Sequence, residues 1–242
     1  MVFLHGEMSS SRVVLQLATA VGATRPYVAL DVAGNGESDP LGGGAALADY
    51  AVDVGTVLRE AEIDSYDLYG EGVGTALALE LAAQDGDRVG KVVLDQPVFP
   101  DDDARADLIA HLAPLIDAAW DGSHWLTAWH MVRDRSFFWP WYRRTQDAIR
   151  WRDPAIDPAE LQVRLLDWLK GRATYGDYVR ACLGADVAAY NALRQSVLVC
   201  AADGDALTQH ADRIVNALPN AQRLESGDDP ATFASAIATF LD

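Results

Sequence analysis

The 242-residue sequence is poor in cysteine and in basic charge. Its two cysteines, Cys182 and Cys200, give neither a disulfide framework nor the ligand cluster of a structural metal site, so we expect no metal and no cofactor. Lys and Arg number 19 against 36 Asp and Glu, for a formal net charge of −17. Nucleic acid would be repelled by a chain this acidic, so we expect no nucleic-acid partner.

Long hydrophobic runs and a targeting leader are also missing. No apolar run approaches the roughly 20 residues that a helix needs to cross a bilayer. Met1 leads into a short apolar run without a basic, cleavable segment. We therefore expect a cytoplasmic protein with no membrane partner. The composition, with 50% hydrophobic and 23% charged residues, is that of an ordinary globular chain.

Short apolar runs alternate with helical patterns in both end regions of the chain. Strands are predicted at residues 2–5, 27–31, 66–69, 89–94, 197–202 and 222–225. Such strands are apolar throughout and are separated by helices, which indicates a parallel sheet covered on both faces. The predicted fold class is therefore α/β, with a mostly parallel, doubly wound sheet.

Residues 101–193 follow a different pattern. They contain no convincing strand, and Asp-Gly, Trp-Pro and Asp-Pro pairs break their helical stretches. A helical block inserted between two halves of one sheet predicts a cap over the carboxyl ends of the strands, where open α/β sheets bind ligands. We therefore predict a core of residues 1–100 and 194–242 with a helical cap of residues 101–193.

Six short motifs follow one another along the chain. They are His5-Gly6, Asp31-x-x-Gly34-x-Gly36-x-Ser38, Gly70-Glu71-Gly72-Val73-Gly74, Leu94-Asp95-x-Pro97, Gly204-Asp205-x-Leu207-Thr208 and Ser226-Gly227-Asp228. Through these motifs and the helical insertion, the chain resembles the cap-bearing branch of the α/β-hydrolase superfamily over nearly its whole length. The resemblance implies two strands ahead of the first one found here. We therefore expect a sheet that lacks the family's first strands and has an extra exposed edge.

The resemblance also implies where a nucleophile and a base should be. In the family, G-x-S-x-G carries a serine on a sharp turn between a strand and a helix. Here the serine position is Gly72, which has no side chain, and the position of the catalytic histidine holds Asp228 or Asp229. Neither carboxylate can replace an imidazole at neutral pH without a strongly raised pKa. Ordinary serine hydrolysis through this elbow is not expected.

Other parts of the hydrolytic machinery are present by the same resemblance. Asp205 is at the position of the triad acid, and the backbone N–H groups of Glu7 and Val73 are the expected oxyanion donors. His5 and Gly6 form the motif at the end of the first strand, where His5 more readily fixes a loop than acts as a base.

The sequence also predicts where two side chains near these motifs point. Glu71 precedes the elbow residue, and a side chain at that position normally points away from the attack site. His210 begins a helix shortly after Asp205, so we expect it to face solvent.

The cap is rich in tryptophan, and all seven tryptophans lie in residues 101–193. These aromatic residues have two interpretations, a packed cap core and an apolar or aromatic ligand pocket. The candidate pocket residues are His124, Trp125, Trp129, His130 and Trp139. The clearest basic patch of the chain comprises Arg133, Arg135, Arg143 and Arg144, which could attract a carboxylate or pair with surrounding acids.

Three functional hypotheses remain open. The first is a degenerate hydrolase that binds a small apolar or aromatic ligand or a partner chain, the partner being a second copy or an intact hydrolase paralogue. The second is a non-hydrolytic enzyme, a lyase or isomerase, in which Asp205, Asp228 and a cap residue act on a ligand held by the backbone donors. The third is a hydrolase with another nucleophile or a directly activated water. The first makes the fewest chemical demands and is the main prediction.

Overall fold

The computed structural model describes residues 1–23, 25–150, 154, 156–226 and 229–242. Within these ranges the strands are Val2–Leu4 (β1), Val28–Leu30 (β2), Tyr66–Glu71 (β3), Val89–Asp95 (β4), Val197–Ala201 (β5) and Ala221–Glu225 (β6). They form one sheet in the order β2-β1-β3-β4-β5-β6. Every pair of neighbouring strands in it is parallel. The predicted α/β class with a mostly parallel sheet is confirmed.

The helices of the described ranges are Ser11–Val21 (α1), Leu47–Glu60 (α2), Gly74–Asp85 (α3), Asp102–His111 (α4), Ser123–Asp134 (α5), Pro158–Gly171 (α6), Tyr175–Leu183 (α7), Thr208–Ala217 (α8) and Pro230–Leu241 (α9). Several begin at a side chain that accepts a hydrogen bond from the first helical turn, as Ser10 does for α1 and Asp157 for α6. None of these helices is long and apolar enough to cross a bilayer.

The sheet is covered on both faces, as a doubly wound fold requires. Phe3 and Tyr69 point to the face that is covered by α1 and α9. Leu4 and Leu68, their neighbours in the same strands, point to the face covered by α2, α3 and α8. This alternation follows from the two-residue period of a strand. The carboxyl ends of all these parallel strands therefore meet at one edge of the sheet.

Helices α4 to α7 lie between β4 and β5 in the chain, and the described residues of 96–196 add no strand to the sheet. Met131 and Trp168 of this segment belong to the same buried cluster as Leu4. The Tyr178 hydroxyl donates a hydrogen bond to the backbone carbonyl of His5 at 3.2 Å. The helical segment is thus packed directly on the carboxyl edge, whereas the exact limits of the cap remain a prediction.

The motif that starts at Asp31 is a hydrogen-bonded loop after β2. The Asp31 carboxylate accepts hydrogen bonds from the backbone N–H groups of Ser11, at 2.7 Å, and Glu37, at 2.8 Å. Gly36 has a φ of +54°, and a Cβ there would collide with the Asp31 carboxylate. The motif therefore fixes the start of α1 against the end of β2, next to the candidate site.

Candidate functional site

The corner between β3 and α3 is a tight turn that is built around three glycines. Gly72 has a φ of +57°, a left-handed conformation that glycine adopts without steric cost. A Cβ at Gly74 would lie 2.5 Å from the carbonyl oxygen of His5, and one at Gly70 would lie 2.6 Å from the carbonyl oxygen of Gly74. The strand, the turn and the helix therefore pack closely, as the sequence motif predicts.

The carboxylate of Glu7 occupies the space beside Gly72. A Cβ at Gly72 would lie 2.7 Å from Glu7 Oε2. The same oxygen accepts a hydrogen bond from the backbone N–H of Val73 at 3.3 Å. This N–H is one of the two predicted oxyanion donors, and here the chain's own carboxylate binds it. The donor role predicted for the backbone N–H of Glu7 stays a prediction.

Glu7 is held in this place by the cap and by its own loop. Its side chain is only 2% exposed, and its Oε1 pairs with Arg135 Nη2 at 2.6 Å. Arg135 directly follows α5 of the cap. The next residue, Met8, has a φ of +54°, a strained conformation that costs a non-glycine residue on the order of 1–3 kcal/mol. Strain of this kind persists only where the surrounding structure enforces it.

The predicted triad acid, Asp205, is paired with an arginine. Its Oδ1 accepts a hydrogen bond from the backbone N–H of Leu207 at 2.9 Å, and its Oδ2 accepts one from Arg150 Nε at 3.2 Å. The side chains of Arg150 and Asp205 are 7% and 2% exposed. A guanidinium has no acceptor and keeps its proton in proteins, so Arg150 cannot act as a general base.

Gln96 completes this second ion pair. Its Oε1 accepts a hydrogen bond from Arg150 Nη2. Gln96 itself has a φ of +50°, so two of the three non-glycine residues with positive φ in the described chain, Met8 and Gln96, adjoin the two cap–core ion pairs. Strained backbone positions cluster at functional sites, which marks this edge of the sheet as the site to consider.

Of the two residues predicted for the base position, the structure describes Asp229. Asp228 lies outside the described residues, so its role stays a prediction. Asp229, its alternative, accepts a hydrogen bond from the backbone N–H of Thr232 at 3.0 Å and caps α9. Its pKa is lowered by the hydrogen bonds from Thr232, which makes it a poorer base.

A cavity of about 550 Å³ lies at the carboxyl edge of the sheet and extends between α1 and α9. Its polar lining includes Glu7, Glu71, Asp95, Gln96, Arg135, Arg150, Arg164, Asp205 and Ser226. Its apolar lining includes Val13, Leu17, Val98, Trp139, Leu207 and Phe233. This volume is within the range of small-molecule sites, which hold about 300–1,000 Å³.

A comparison with protein families settles the family of the chain. Residues 1–122 match the family model described as alpha/beta hydrolase fold. The chain belongs to the α/β-hydrolase fold family. No curated protein sequence matches this α/β-hydrolase fold protein.

Three solved structures illustrate the fold of this α/β-hydrolase family member. A hydrolase from Pseudomonas aeruginosa PA01 is 19% identical, with a TM-score of 0.76. MGS-M2, an alpha/beta hydrolase enzyme from a Medee basin deep-sea metagenome library, is 15% identical, with a TM-score of 0.79. A thermophilic esterase from Thermogutta terrifontis, with malate bound, is 16% identical, with a TM-score of 0.75. Each similarity covers 99% of this chain and 88% of the other. At these identities the comparison establishes the fold alone.

Of the five predicted cap-pocket residues, only Trp139 lines the cavity of this hydrolase fold. Helix α5 turns Ala128, Met131 and Val132 inward, and Arg135 follows at the same helical spacing. The other four predicted residues, His124, Trp125, Trp129 and His130, therefore lie off that face. His124 Nδ1 accepts a hydrogen bond from the backbone N–H of Ala119 at 3.0 Å, and Trp125 is 48% exposed.

The predicted arginine patch is divided among several acids. Arg133 and Arg144 both pair with Asp134, each at 2.6 Å. Arg143 pairs with Asp107 at 2.7 Å. Of the four arginines in the patch, Arg135 alone lines the large cavity. All four arginines are therefore paired with acids, and Arg135, which pairs with Glu7, is the one that also lines the cavity.

His5 acts as a structural residue of its loop. It is fully buried, its Nε2 accepts a hydrogen bond from the backbone N–H of Val32 at 3.1 Å, and its Nδ1 donates to the carbonyl of Gly6 at 2.8 Å. Burial lowers the pKa of His5, so the ring is neutral. Gly6 allows close packing, since a Cβ there would lie 3.0 Å from the carbonyl oxygen of Glu71. Glu71 is one of the residues that line the cavity; the orientation predicted for its side chain stays a prediction.

His210 differs from the sequence-based expectation of a solvent-facing side chain. It is only 4% exposed, and its Nδ1 contacts the carbonyl oxygen of Phe99 at 2.8 Å. The reason is the inward face of α8, which carries His210, Ala211 and Ile214. Burial lowers the pKa of His210. It does not line the 550 Å³ cavity.

Two functional groups of the site escaped sequence-based prediction. The Glu7 side chain and Arg150 reach their partners, Arg135 and Asp205, across 128 and 55 residues of chain. An acidic residue directly after His5-Gly6, close to an elbow without a nucleophile, was the one available signal for Glu7. In the described part of the chain, no group of three or more His, Cys, Asp or Glu side chains is placed to hold a metal ion.

Proposed function

We propose that this α/β-hydrolase fold protein has lost Ser-His-Asp hydrolysis and binds a small molecule in the cavity beneath its cap. One observation carries the proposal: Gly72 offers no nucleophile, and the Glu7 carboxylate lies where a side chain at residue 72 would begin. The pairing of Asp205 with Arg150 supports it, because the acid of a triad must instead orient an imidazole.

The lining of the cavity favours a ligand with an apolar or aromatic body and a polar end. Leu17 and Phe233 contribute apolar surface on the side of α1 and α9, whereas Arg135 and Arg150 contribute charge beneath the cap. Small-molecule sites combine a mostly apolar lining with a few polar groups that orient the ligand.

Ester turnover and ligand binding test this proposal together. We expect a panel of p-nitrophenyl esters to give no turnover above buffer and a panel of aromatic and aliphatic small molecules to raise the melting temperature. Leu17→Trp should fill the cavity and abolish these shifts. Leu15→Trp, a control on the exposed side of α1, should leave them unchanged. Ester turnover, or shifts that survive Leu17→Trp, would contradict the proposal.

A second candidate function is that of a non-hydrolytic lyase or isomerase. The observation that favours it is the Glu7 carboxylate, which is buried at the elbow and lines the cavity. A carboxylate so placed can take a proton from a bound ligand, a role worth about 10²–10⁴ in rate. Asp205, the acid chosen from the sequence, also lines the cavity and is paired with Arg150, as Glu7 is with Arg135. If the chain is such an enzyme, Glu7→Gln abolishes turnover of the ligand.

The proposed partner chain has a candidate surface at the edge of the sheet. Strand β2 pairs with β1, and no described strand pairs with its other side. Because the Val28 N–H donates to the carbonyl of Met1, strand alternation directs the N–H of Ala29 outward. An open edge can pair with a second copy or with an intact hydrolase paralogue. Light scattering should then show a dimer that Ala29→Pro dissociates and Ala29→Ser does not.

A further inference from the structure

A carboxylate of the chain itself occupies the anion-binding groups at the elbow. Arg135 Nη2 contacts Glu7 Oε1 at 2.6 Å, and the Val73 N–H donates to Glu7 Oε2 at 3.3 Å. Each carboxylate oxygen of Glu7 therefore accepts a hydrogen bond from one of these two donors. This is the arrangement in which a carboxylate ligand binds to a guanidinium and a backbone amide.

These donors would attract an anion without Glu7 as well. Val73 directly precedes α3, so its N–H lies at the positive end of the helix dipole. Arg135 keeps its charge at any physiological pH, and its side chain is 20% exposed where it lines the cavity. If Glu7 moves away, the Arg135 guanidinium and the Val73 N–H remain as two donors for an anion.

One of the two contacts that hold the Glu7 carboxylate at the elbow is long. Its 3.3 Å hydrogen bond from Val73 is longer than the about 2.7–2.9 Å of a strong charge-assisted bond. Met8, the next residue, is held in a left-handed conformation with a φ of +54°, which is sterically unfavourable for its side chain.

The cavity offers room for the rest of such a ligand. Its volume is about 550 Å³, and Val13, Leu17 and Phe233 supply apolar surface away from the elbow. A carboxylate on an apolar or aromatic body therefore has a charged partner at one end and apolar contacts along its length.

We propose that the cavity binds a small molecule that carries a carboxylate, and that this carboxylate displaces Glu7 from Arg135 and the Val73 N–H. The inference rests on the proposed small-molecule binding and names the chemical class of the ligand. Glu7 then acts as a built-in competitor that is present at high effective concentration, since it is tethered to the site. Neutral molecules of the same shape gain nothing from its removal.

The test compares phenylacetate with phenylacetamide, a neutral molecule of nearly the same shape, by isothermal titration calorimetry at fixed ionic strength. Glu7→Gln should bind phenylacetate about tenfold more tightly than the wild type or better, because the competitor is gone. Arg135→Gln should lose phenylacetate binding by a similar factor. Arg133→Gln is the matched control, since Arg133 pairs with Asp134 and does not line the cavity. Phenylacetamide affinity should be equal in the wild type and Glu7→Gln.

Equal phenylacetate affinity in the wild type and Glu7→Gln, or in the wild type and Arg135→Gln, would overturn the inference. Binding of phenylacetamide without binding of phenylacetate would overturn it and leave the proposed function standing. Absence of binding by either compound, in every variant, would count against both the inference and the proposed function.

Because Glu7→Gln leaves Arg135 without its acid and could unfold the loop, a crystal of the wild type soaked in phenylacetate gives an independent result. A carboxylate on Arg135 with Glu7 displaced supports the inference, and phenylacetate at any other place overturns it.

Discussion

At the scale of single residues, the absence of a side chain at Gly72 leaves room for the Glu7 carboxylate beside it. A side chain at residue 72 would begin 2.7 Å from Glu7 Oε2, so a serine there and the present position of Glu7 exclude each other. Gly72→Ser alone would therefore displace a buried, ion-paired carboxylate. The glycine at residue 72 and the position of Glu7 are two aspects of one arrangement.

Because of this arrangement, we expect two glycine substitutions to lower the free energy of unfolding by different amounts. Gly72→Ala and Gly86→Ala both place a side chain at positive φ, +57° and +52°, which costs about 1–3 kcal/mol. Only at Gly72 does the new Cβ also meet Glu7, because nothing lies within 4 Å of a Cβ at Gly86. Urea unfolding should thus show a larger loss of unfolding free energy for Gly72→Ala. Equal losses would contradict the contact with Glu7.

The buried ion pair of Arg150 and Asp205 predicts a second residue-scale effect. Arg150→Gln leaves a buried carboxylate without its charged partner, which should lower the free energy of unfolding by about 3–5 kcal/mol. The control is Arg194→Gln, because the side chains of Arg194 and Asp87 are 81% and 92% exposed. It should cost less than about 1 kcal/mol. Chemical unfolding followed by circular dichroism measures both, and a small loss for Arg150→Gln would contradict the buried pair.

At the scale of elements, the loop after β1 depends on a neutral His5. Burial lowers the pKa of His5 in the folded protein below its ordinary value of 6.5. The unfolded chain therefore binds more protons, and the unfolding free energy is retained above pH 6.5 and falls as the pH drops below it. His5→Gln should reduce this slope between pH 6.5 and 5 by up to about 1.4 kcal/mol per pH unit, the value of one proton. Urea unfolding across that pH range measures the slope, and an unchanged slope would contradict a neutral, buried His5.

The elements themselves were largely predictable from local sequence patterns. The strand predicted at residues 89–94 is Val89–Asp95, and the strand predicted at 197–202 is Val197–Ala201. The strand predicted at 66–69 continues to Glu71, because backbone pairing with β4 extends into the glycine-rich corner. Periodicity and turn residues determine such elements, since both are properties of neighbouring residues.

The contents of the site were less predictable for a physical reason. Which face of α5 turns inward depends on how the cap packs on the sheet, and that packing brings Arg135 to Glu7 and leaves Trp125 exposed. His210 is likewise buried because α8 packs its first turn against Phe99. Contacts between residues far apart in the chain leave no local sequence pattern. The elbow does have one, in its closely spaced glycines.

At the scale of the whole molecule, the cap and the core share one buried cluster. Met131 and Trp168 of the cap pack in the same cluster as Leu4 and Leu94 of the sheet. Two ion pairs with buried acids, Arg135 with Glu7 and Arg150 with Asp205, also join the helical segment to the core. We therefore expect the cap and the core to unfold together, since neither can lose its packing without exposing the other.

The tryptophans allow a direct test of this cooperativity. Since all seven lie in residues 101–193, tryptophan fluorescence reports on the cap, and far-ultraviolet circular dichroism reports on the whole chain. The two probes should give the same urea midpoint, as two-state unfolding requires. A lower midpoint by fluorescence would show a cap that unfolds first and would contradict the shared cluster.

The proposed loss of Ser-His-Asp hydrolysis implies that no serine of this α/β-hydrolase fold protein is an activated nucleophile. A serine-directed fluorophosphonate probe followed by intact-mass spectrometry and peptide mapping tests it most directly, because the probe reacts with activated serines rather than with passive hydroxyls. An intact triad-bearing hydrolase serves as the positive control. We expect this protein to keep its unmodified mass under conditions that label the control completely. A stoichiometric adduct on any serine of the chain would contradict it.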